Sequence, residues 1–371
     1  MPGRRAQLKR ITLVDVARES GFSPSTVSIV LNNAPLSRYV AAQTKEHIRK
    51  TAQKLGYRPD TFARSLRSRR SQTIGVMIFD ISDPFCMLIL RGIERALHAT
   101  PYLPIMMDAH NEQKQFESYL DMLMERRVEG LIVVANWLFE EGGLLAQVRD
   151  SRLPTIVVGR DLSAEKIRSV IVENEQGGYL AMEHLYGLGH RRIAVIRGPA
   201  KLLDSQRRWE GIQRFAREHA LTIDGRCVRE LPDSLDPTSG FEGGVALTAE
   251  LLESGVEFTA VLAFDDLTAL GAVRALARAG RKVPEDCSVI GFDDVPPALL
   301  STPGITTIRQ PMEDMGALAT EFVLEAIGKA QEADGAEGAG GNGAGQSAVH
   351  MLAPSLVLRE STQAVRVEIA G

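Results

Sequence analysis

Residues 23–33 read SPSTVSIVLNN, and a helix through them carries Ser25, Ser28, Ile29 and Asn32 on one side while Val27, Val30 and Leu31 fall on the other. Three small polar side chains turned outward make a face for contact rather than packing, and Ile29 stands among them as an apolar exception. Other residue types that could do chemistry are scattered. Cys86, Cys227 and Cys287 lie far apart with no C-x-x-C pair, so they read as reduced, cytosolic thiols and not as a zinc site or a disulfide framework. The seven histidines do not pair at ligand spacing, and no Walker P-loop, H-E-x-x-H or G-x-S-x-G context is present. Gly338, Gly340 and Gly343 match a dinucleotide fingerprint in form, but they follow no strand and open no helix. No cofactor, metal or catalytic residue is expected, and an α/β enzyme regulated by DNA is the least supported reading.

Charge is divided unevenly. Residues 1–70 hold fifteen Lys/Arg against four Asp/Glu, a net of +11, whereas the remainder holds 28 against 43, a net of −15. That asymmetry points to a basic module for a polyanion on an acidic body. The basic N-terminal stretch RRAQLKR runs into an amphipathic helix and no apolar run reaches about 18 residues, so neither a targeting signal nor a membrane span is expected.

These residues need elements to position them. Thr12 can cap a first helix with Asp15 as its reciprocal partner, and Leu13, Val16 and Ala17 give that helix an apolar face. Gly21 permits a turn, Ser23 and Pro24 start a second helix, and a third over 44–55 buries Ile48, Ala52 and Leu55 before Gly56. The order is that of a helix-turn-helix bundle. The basic connector 57–72 has one short helical stretch, from Asp60 or Thr61 to Ser68, too short to be stable alone. From residue 73, apolar β-rich runs at 74–79, 102–107, 130–135, 154–158, 169–173, 193–197, 259–264, 287–292 and 305–308 alternate with amphipathic segments. Strands this apolar are buried on both faces of parallel sheets, and so many βα units require two similar subdomains with a cleft between them. Ligands in such folds bind beyond the carboxyl ends of strands. Those ends fall at 80–86, 136–137, 159–162, 198–208, 264–267 and 292–296.

Taken in order, ITLVDVARESGFSPSTVSIVLNN, TAQKLGYRPDTFARSLRSRRSQTIGVMIFDISDPF, FDDLTALGAVRALARAGRKVPEDCSVIGFDDV, TTIRQPMEDMG and LVLREST closely resemble the LacI/GalR family of bacterial transcription regulators, from about residue 11 to 362. The resemblance implies an N-terminal helix-turn-helix DNA-binding domain (1–58), a hinge helix and linker (59–72) and a periplasmic-binding-protein-like α/β body of two parallel-sheet subdomains (73–371). The first lobe would span about 73–174, with the chain crossing back late, and 330–348 would be a flexible insertion. By position, Ser25, Thr26, Ser28, Ile29 and Asn32 match base and phosphate contacts of the recognition helix, and Thr12 and Tyr39 match phosphate contacts. Ala63 and Leu66 match the minor-groove wedge of the hinge. Better-known members often carry Arg or His where Ile29 stands, and the loop APLSRYV is longer than usual. An isoleucine can pack on a thymine methyl but cannot read guanine bidentately.

The resemblance likewise implies an effector pocket of Asp83, Phe85, Cys86, Trp137, Arg160, Arg208, Asp266 and Asp293, with Arg207 as the competitor for the place of Arg208. Carboxylates and guanidinium groups around an aromatic wall suit a sugar's hydroxyls, and two arginines could equally hold an anion. The family implies a cytoplasmic, nucleoid-associated homodimer that binds a pseudo-palindromic operator in double-stranded DNA, represses, and responds to a small, sugar-like effector, with no membrane contact. The alternatives are a solute-binding protein without DNA function, which would leave residues 1–70 unexplained, and a corepressor-dependent regulator of a non-sugar pathway.

Overall fold

The computed structural model describes residues 11–57, 70–134, 148–149, 151, 153–234, 236, 239–335 and 349–365, and the chain forms two compact units, Met1–Ser71 and Gln72–Gly371. In the first unit, α1 (Leu13–Ser20), α2 (Pro24–Leu31) and α3 (Ala42–Lys54) are joined by short turns, with a 3-10 turn over Pro35–Tyr39. Thr12 and Asp15 cap α1 reciprocally, and the Ser23 hydroxyl accepts the Thr26 amide at 3.1 Å ahead of α2. Val16, Val27, Val30 and Ile48 have no exposed surface, and Leu13, Leu31 and Leu55 pack against them. Helices of 8 residues are marginal alone, so this shared core is what holds α1 and α2. The third helix begins at Ala42, two residues before the expected start.

The second unit runs through β1 (Thr73–Ile78), α4 (Pro84–Leu97), β2 (Leu103–Asp108), α5 (Gln113–Glu125), β3 (Gly130–Val134), β4 (Thr155–Val158) and β5 (Arg168–Val172). It continues with α6 (Asn174–Gly187), β6 (Ile193–Arg197), α7 (Leu203–Glu218), β7 (Val228–Glu230), α8 (Ser239–Glu253), β8 (Ala260–Ala263) and α9 (Asp266–Arg278). The last elements are β9 (Ser288–Asp293), α10 (Pro296–Leu300), β10 (Thr306–Arg309), α11 (Met312–Gly335), β11 (Val349–Leu352) and β12 (Ser355–Val357). They build two six-stranded sheets, ordered β11-β5-β4-β3-β1-β2 and β12-β10-β9-β8-β6-β7. Every pairing is parallel except β10 with β12.

The chain crosses from the first lobe to the second at α6 and returns with α11, whose Met315, Ala319 and Val323 share a core with Ile89 and Ile93 of α4. A Cβ on Gly92 would run into the backbone carbonyl of Glu313, so glycine is what lets these two helices cross so closely. Three expectations are corrected here. β2 is an edge strand whose Leu103 and Met106 are 68% and 54% exposed, not a strand buried on both faces. The expected insertion over 330–348 is helical at its start, where α11 continues through AQEA with residues that favour helix, as far as Gly335; 336–348 lie outside the described residues. Beyond the last expected run, 305–308, the chain adds two more strands, β11 and β12, one in each sheet. No helix among the described residues is long and apolar enough to cross a membrane.

Candidate functional site

On the first unit, α2 presents exposed Ser25, with Thr26 half-buried and its hydroxyl 2.9 Å from that of Ser23. Ile29 is half-buried and lies outside the apolar cluster of the unit. Ser28, expected to face outward, is only 8% exposed, which corrects that reading. The reason is packing on more than one side, because α2 contacts α1, α3 and the 3-10 turn, and its buried arc is wider than one helical stripe. Asn32 closes over Ser28: its Nδ2 donates to the Ser28 carbonyl at 2.9 Å and to the Ser28 hydroxyl at 3.2 Å. Thr12 is exposed as the α1 cap, and Tyr39 is 72% exposed with the Arg38 guanidinium over its ring. Ala63 and Leu66 lie outside the described residues, as does Trp137.

On the second unit, the carboxyl ends of strands from both sheets open on one cavity of about 220 Å³. From the first lobe it is lined by Asp83, Phe85, Cys86 and Arg160, and from the second by Arg208, Phe264, Asp265, Asp293 and Gln310, among others. Asp83 is there because it caps α4, accepting the Phe85 amide at 2.9 Å, with Pro84 in the first turn. Burial pushes its carboxyl up to about 6, against the pull of that amide. The Cys86 thiol is driven well up by burial and by the Asp83 charge, so it is a poor nucleophile. Arg160 is 3% exposed at the end of β4.

Arg208 and Arg207 separate cleanly on α7. Arg207 pairs with Glu210 at 2.9 Å on the exposed side, whereas Arg208 points into the lobe. Its Nε donates to Asn174 Oδ1 at 2.8 Å, its Nη1 to the Phe264 carbonyl at 2.7 Å, and its Nη2 lies 3.5 Å from Asp293 Oδ1. The guanidinium is stacked 3.6 Å from the centroid of Phe292. Asp293 is pushed up to about 7 by burial, which outweighs the lowering effect of Arg208.

Asp266 departs from the direct contact expected of it. It stands in the cavity wall with no exposed surface, its Oδ1 accepting the Thr307 hydroxyl at 2.6 Å and its Oδ2 the Val295 amide at 2.9 Å. Burial and the nearby Asp293 charge raise its carboxyl far above the ordinary range. Its role is to hold the loop after β9, while its neighbour Asp265 caps α9 through the Thr268 amide at 2.7 Å and lines the cavity. Asn174, Asp265, Thr307 and Gln310 were not anticipated. Only Asp265 had a legible signal, as the cap position of the FDD turn.

The cavity therefore presents acceptors, two arginines and phenylalanine rings between two lobes, with no histidine lining it among the described residues. Such a lining can hold a small polar molecule between the lobes. Together with the helix-turn-helix unit, it defines a ligand-responsive DNA-binding regulator.

Comparison with known proteins gives the family. Residues 12–60 match bacterial regulatory proteins of the lacI family, and residues 182–362 match the periplasmic binding protein-like domain. The HTH-type transcriptional repressor PurR of Aliivibrio fischeri is 32% identical over 320 residues, covering 85% of this chain and 91% of that protein. The lac repressor dimer bound to operator and the anti-inducer ONPF superposes with a TM-score of 0.79 at 26% identity, over 96% of this chain and 100% of that one. A complex of the transcriptional regulator CelR with cellobiose gives 0.67 at 26% identity, over 95% and 100%. The chain belongs to the LacI family. It is a DNA-binding transcriptional repressor with a periplasmic-binding-protein-like effector domain, and it is not an enzyme.

Proposed function

We propose that the effector is a small neutral polyol of the sugar class, bound between the lobes of a homodimeric, cytoplasmic repressor. The observation that carries this reading is the acidic lining: Asp83, Asp265 and Asp293 border the cavity, and Arg208 already directs three of its five N–H groups to Asn174, Phe264 and Asp293. An anion would meet three carboxyl groups beside the two arginines, whereas hydroxyl groups find acceptors on both lobes. A volume of about 220 Å³ suits one or two rings. The cellobiose complex of the similar regulator CelR agrees with a sugar. A flat purine base is the second reading, favoured by Phe85 and Phe264 at the cavity edge and by the similar repressors called PurR. A thermal-shift panel on the full chain with ribose, glucose, cellobiose, hypoxanthine, guanine and small dicarboxylates separates them. A rise with a sugar alone supports the proposal, and a rise with bases or acids alone overturns it.

At the DNA end, Ser25, Thr26, Ile29 and Asn32 read a half-site, Thr12 and Tyr39 hold phosphates, and Ala63 and Leu66 enter the minor groove of the operator. A twofold dimer is what a palindromic site requires, and exposed Leu103, Met106, Leu299 and Leu300 offer it apolar surface. Ile29 packs on a thymine methyl. Replacing operator thymines by uracil, which lacks that methyl, should weaken the parent about fivefold, a loss on the order of 1 kcal/mol, and leave Ile29→Ala unaffected. Equal sensitivity in both proteins excludes the contact.

A further inference from the structure

The end of β9 carries two consecutive non-glycine residues in left-handed conformations, Asp293 with φ of +108° and Asp294 with φ of +63°. Such a pair persists only where its surroundings hold it. From the core, Asp266 fixes the next residue through the Val295 amide. Within the cleft, Asp293 Oδ1 accepts the Gln310 side-chain amide and faces Arg208. The third restraint comes from outside the cleft. Asp294 Oδ1 accepts from Arg359 Nη2, and Asp294 Oδ2 accepts from Arg309 Nε at 2.6 Å. The Asp294 and Arg359 side chains are each 10% exposed, whereas Arg309 is 52% exposed. Arg359 is itself anchored: its Nη1 donates to the Ile305 carbonyl at 2.8 Å, and its backbone amide donates to Thr306 Oγ1 at 3.0 Å.

We propose that Arg359 is a positioning residue for the effector site, acting through Asp294 to fix the left-handed turn that aims the Asp293 carboxylate into the cleft. This rests on reading Asp293 as an effector ligand. A buried ion pair is weak evidence for stability, because apolar replacements often serve as well. What this pair supplies is direction. The Arg359 guanidinium bridges the Asp294 carboxylate and the Ile305 carbonyl and so ties Asp294 in place, and the two adjacent residues with φ above zero set the direction in which the Asp293 side chain leaves the backbone. The groups facing Asp293 are Arg208 and Gln310 by contact, with the carboxyls of Asp266, Asp265 and Asp83 further off.

The test needs no ligand. Carboxyl-labelled aspartate in the full chain, with Asp293 assigned through Asp293→Asn, lets its titration be followed by NMR, and the Gln310 side-chain amide reports the bond to it. Asp294→Asn keeps the shape and removes the charge; Arg359→Lys keeps the charge and removes the bridge between Asp294 and the Ile305 carbonyl. In both variants Asp293 turns toward water and its midpoint drops from about 7 by roughly one unit or more. The Gln310 amide exchanges faster, and Asp83, which starts at about 6 on the other lobe, moves less. A lower melting temperature with an unmoved Asp293 midpoint and an unchanged Gln310 amide would make Arg359 a structural residue only and overturn the proposal. Should Arg359→Lys fail to fold, the nearly isosteric Asp294→Asn decides. A moved Asp293 beside a failed sugar screen removes the ligand class alone, and an unmoved Asp293 beside a successful screen removes the positioning role alone.

Discussion

The two lobes share a strand order, yet they build their sides of the cleft in opposite ways. The second lobe ties its polar atoms to one another below the surface: Asp266 to Thr307 and Val295, Arg208 to Asn174 and the Phe264 carbonyl, Gln310 to Asp293. The first lobe offers a helix cap, Asp83, with apolar Phe85 and Cys86 of its core, beside buried Arg160 and Asn111, whose Nδ2 donates to Asp80 at 3.2 Å. One wall is tied across its strands and loops by bonds among Asp266, Thr307, Arg208, Asn174, Asp293 and Gln310; the other sets the end of a helix beside a smaller polar group. A site that must both recognise a ligand and change state gains from this division, because a fixed wall supplies geometry and a lightly tied one can move against it.

The division breaks first at Asp266. Asp266→Ala leaves the Thr307 hydroxyl and the Val295 amide buried without their acceptor, and a loss of about 3 kcal/mol in denaturant unfolding is expected. Asp266→Asn, which keeps an acceptor oxygen, should lose clearly less. If both variants unfold like the parent, the second wall is not held by this network.

A smaller effect distinguishes the walls by pH. Asp293 at about 7 and Asp83 at about 6 both lie above the 3.8 of an ordinary aspartate, so folding takes up protons in this range. The stability associated with the protonated forms is fully present below about pH 4 and is lost as the pH rises through about 6 to about 7. Lowering the pH from about 8 to about 6 should therefore raise the melting temperature by about 2–4 °C. Asp293→Asn should flatten this slope more than Asp83→Asn, because the second-lobe carboxyl is the more strongly shifted. Equal flattening would place the two walls on the same footing.

How legible each wall is in the sequence follows from the same contrast. Caps are local: Thr12 and Ser23 each act on an amide three residues ahead, so residue type and spacing are enough to find them, whereas Asp83 is expected as a pocket residue and not as the cap it also is. The long apolar runs announce β1, β3 and β4 for a similar reason, since burial on both faces selects β-branched residues in an unbroken series. β7, three residues reading VRE on a sheet edge, has no such pattern. Asn174 and Gln310 meet Arg208 and Asp293 across 34 and 17 residues, and no periodicity encodes a partner at that distance. Ser28 shows the limit of a helical wheel, which tells which way a side chain leaves the helix and nothing of what lies in that direction.

The least effect should come from the first wall. Asp83→Ala removes one capping acceptor from α4, which is still held by the packing of Ile89 and Ile93 against Met315 and Ala319 of α11 and by the Arg95–Glu313 pair at 2.6 Å. Loss of such a cap costs about 1 kcal/mol, and part of that is offset because the carboxylate, raised to about 6 by burial, no longer has to be charged in the cleft. Denaturant unfolding of Asp83→Ala should therefore sit between the parent and Asp266→Ala, and nearer the parent. Effector affinity should fall more than stability does, because an acceptor on the cleft surface is removed while the core stays intact. A loss of stability as large as that of Asp266→Ala would mean that the first wall is built from buried polar bonds as well, and that the two lobes do not divide the work.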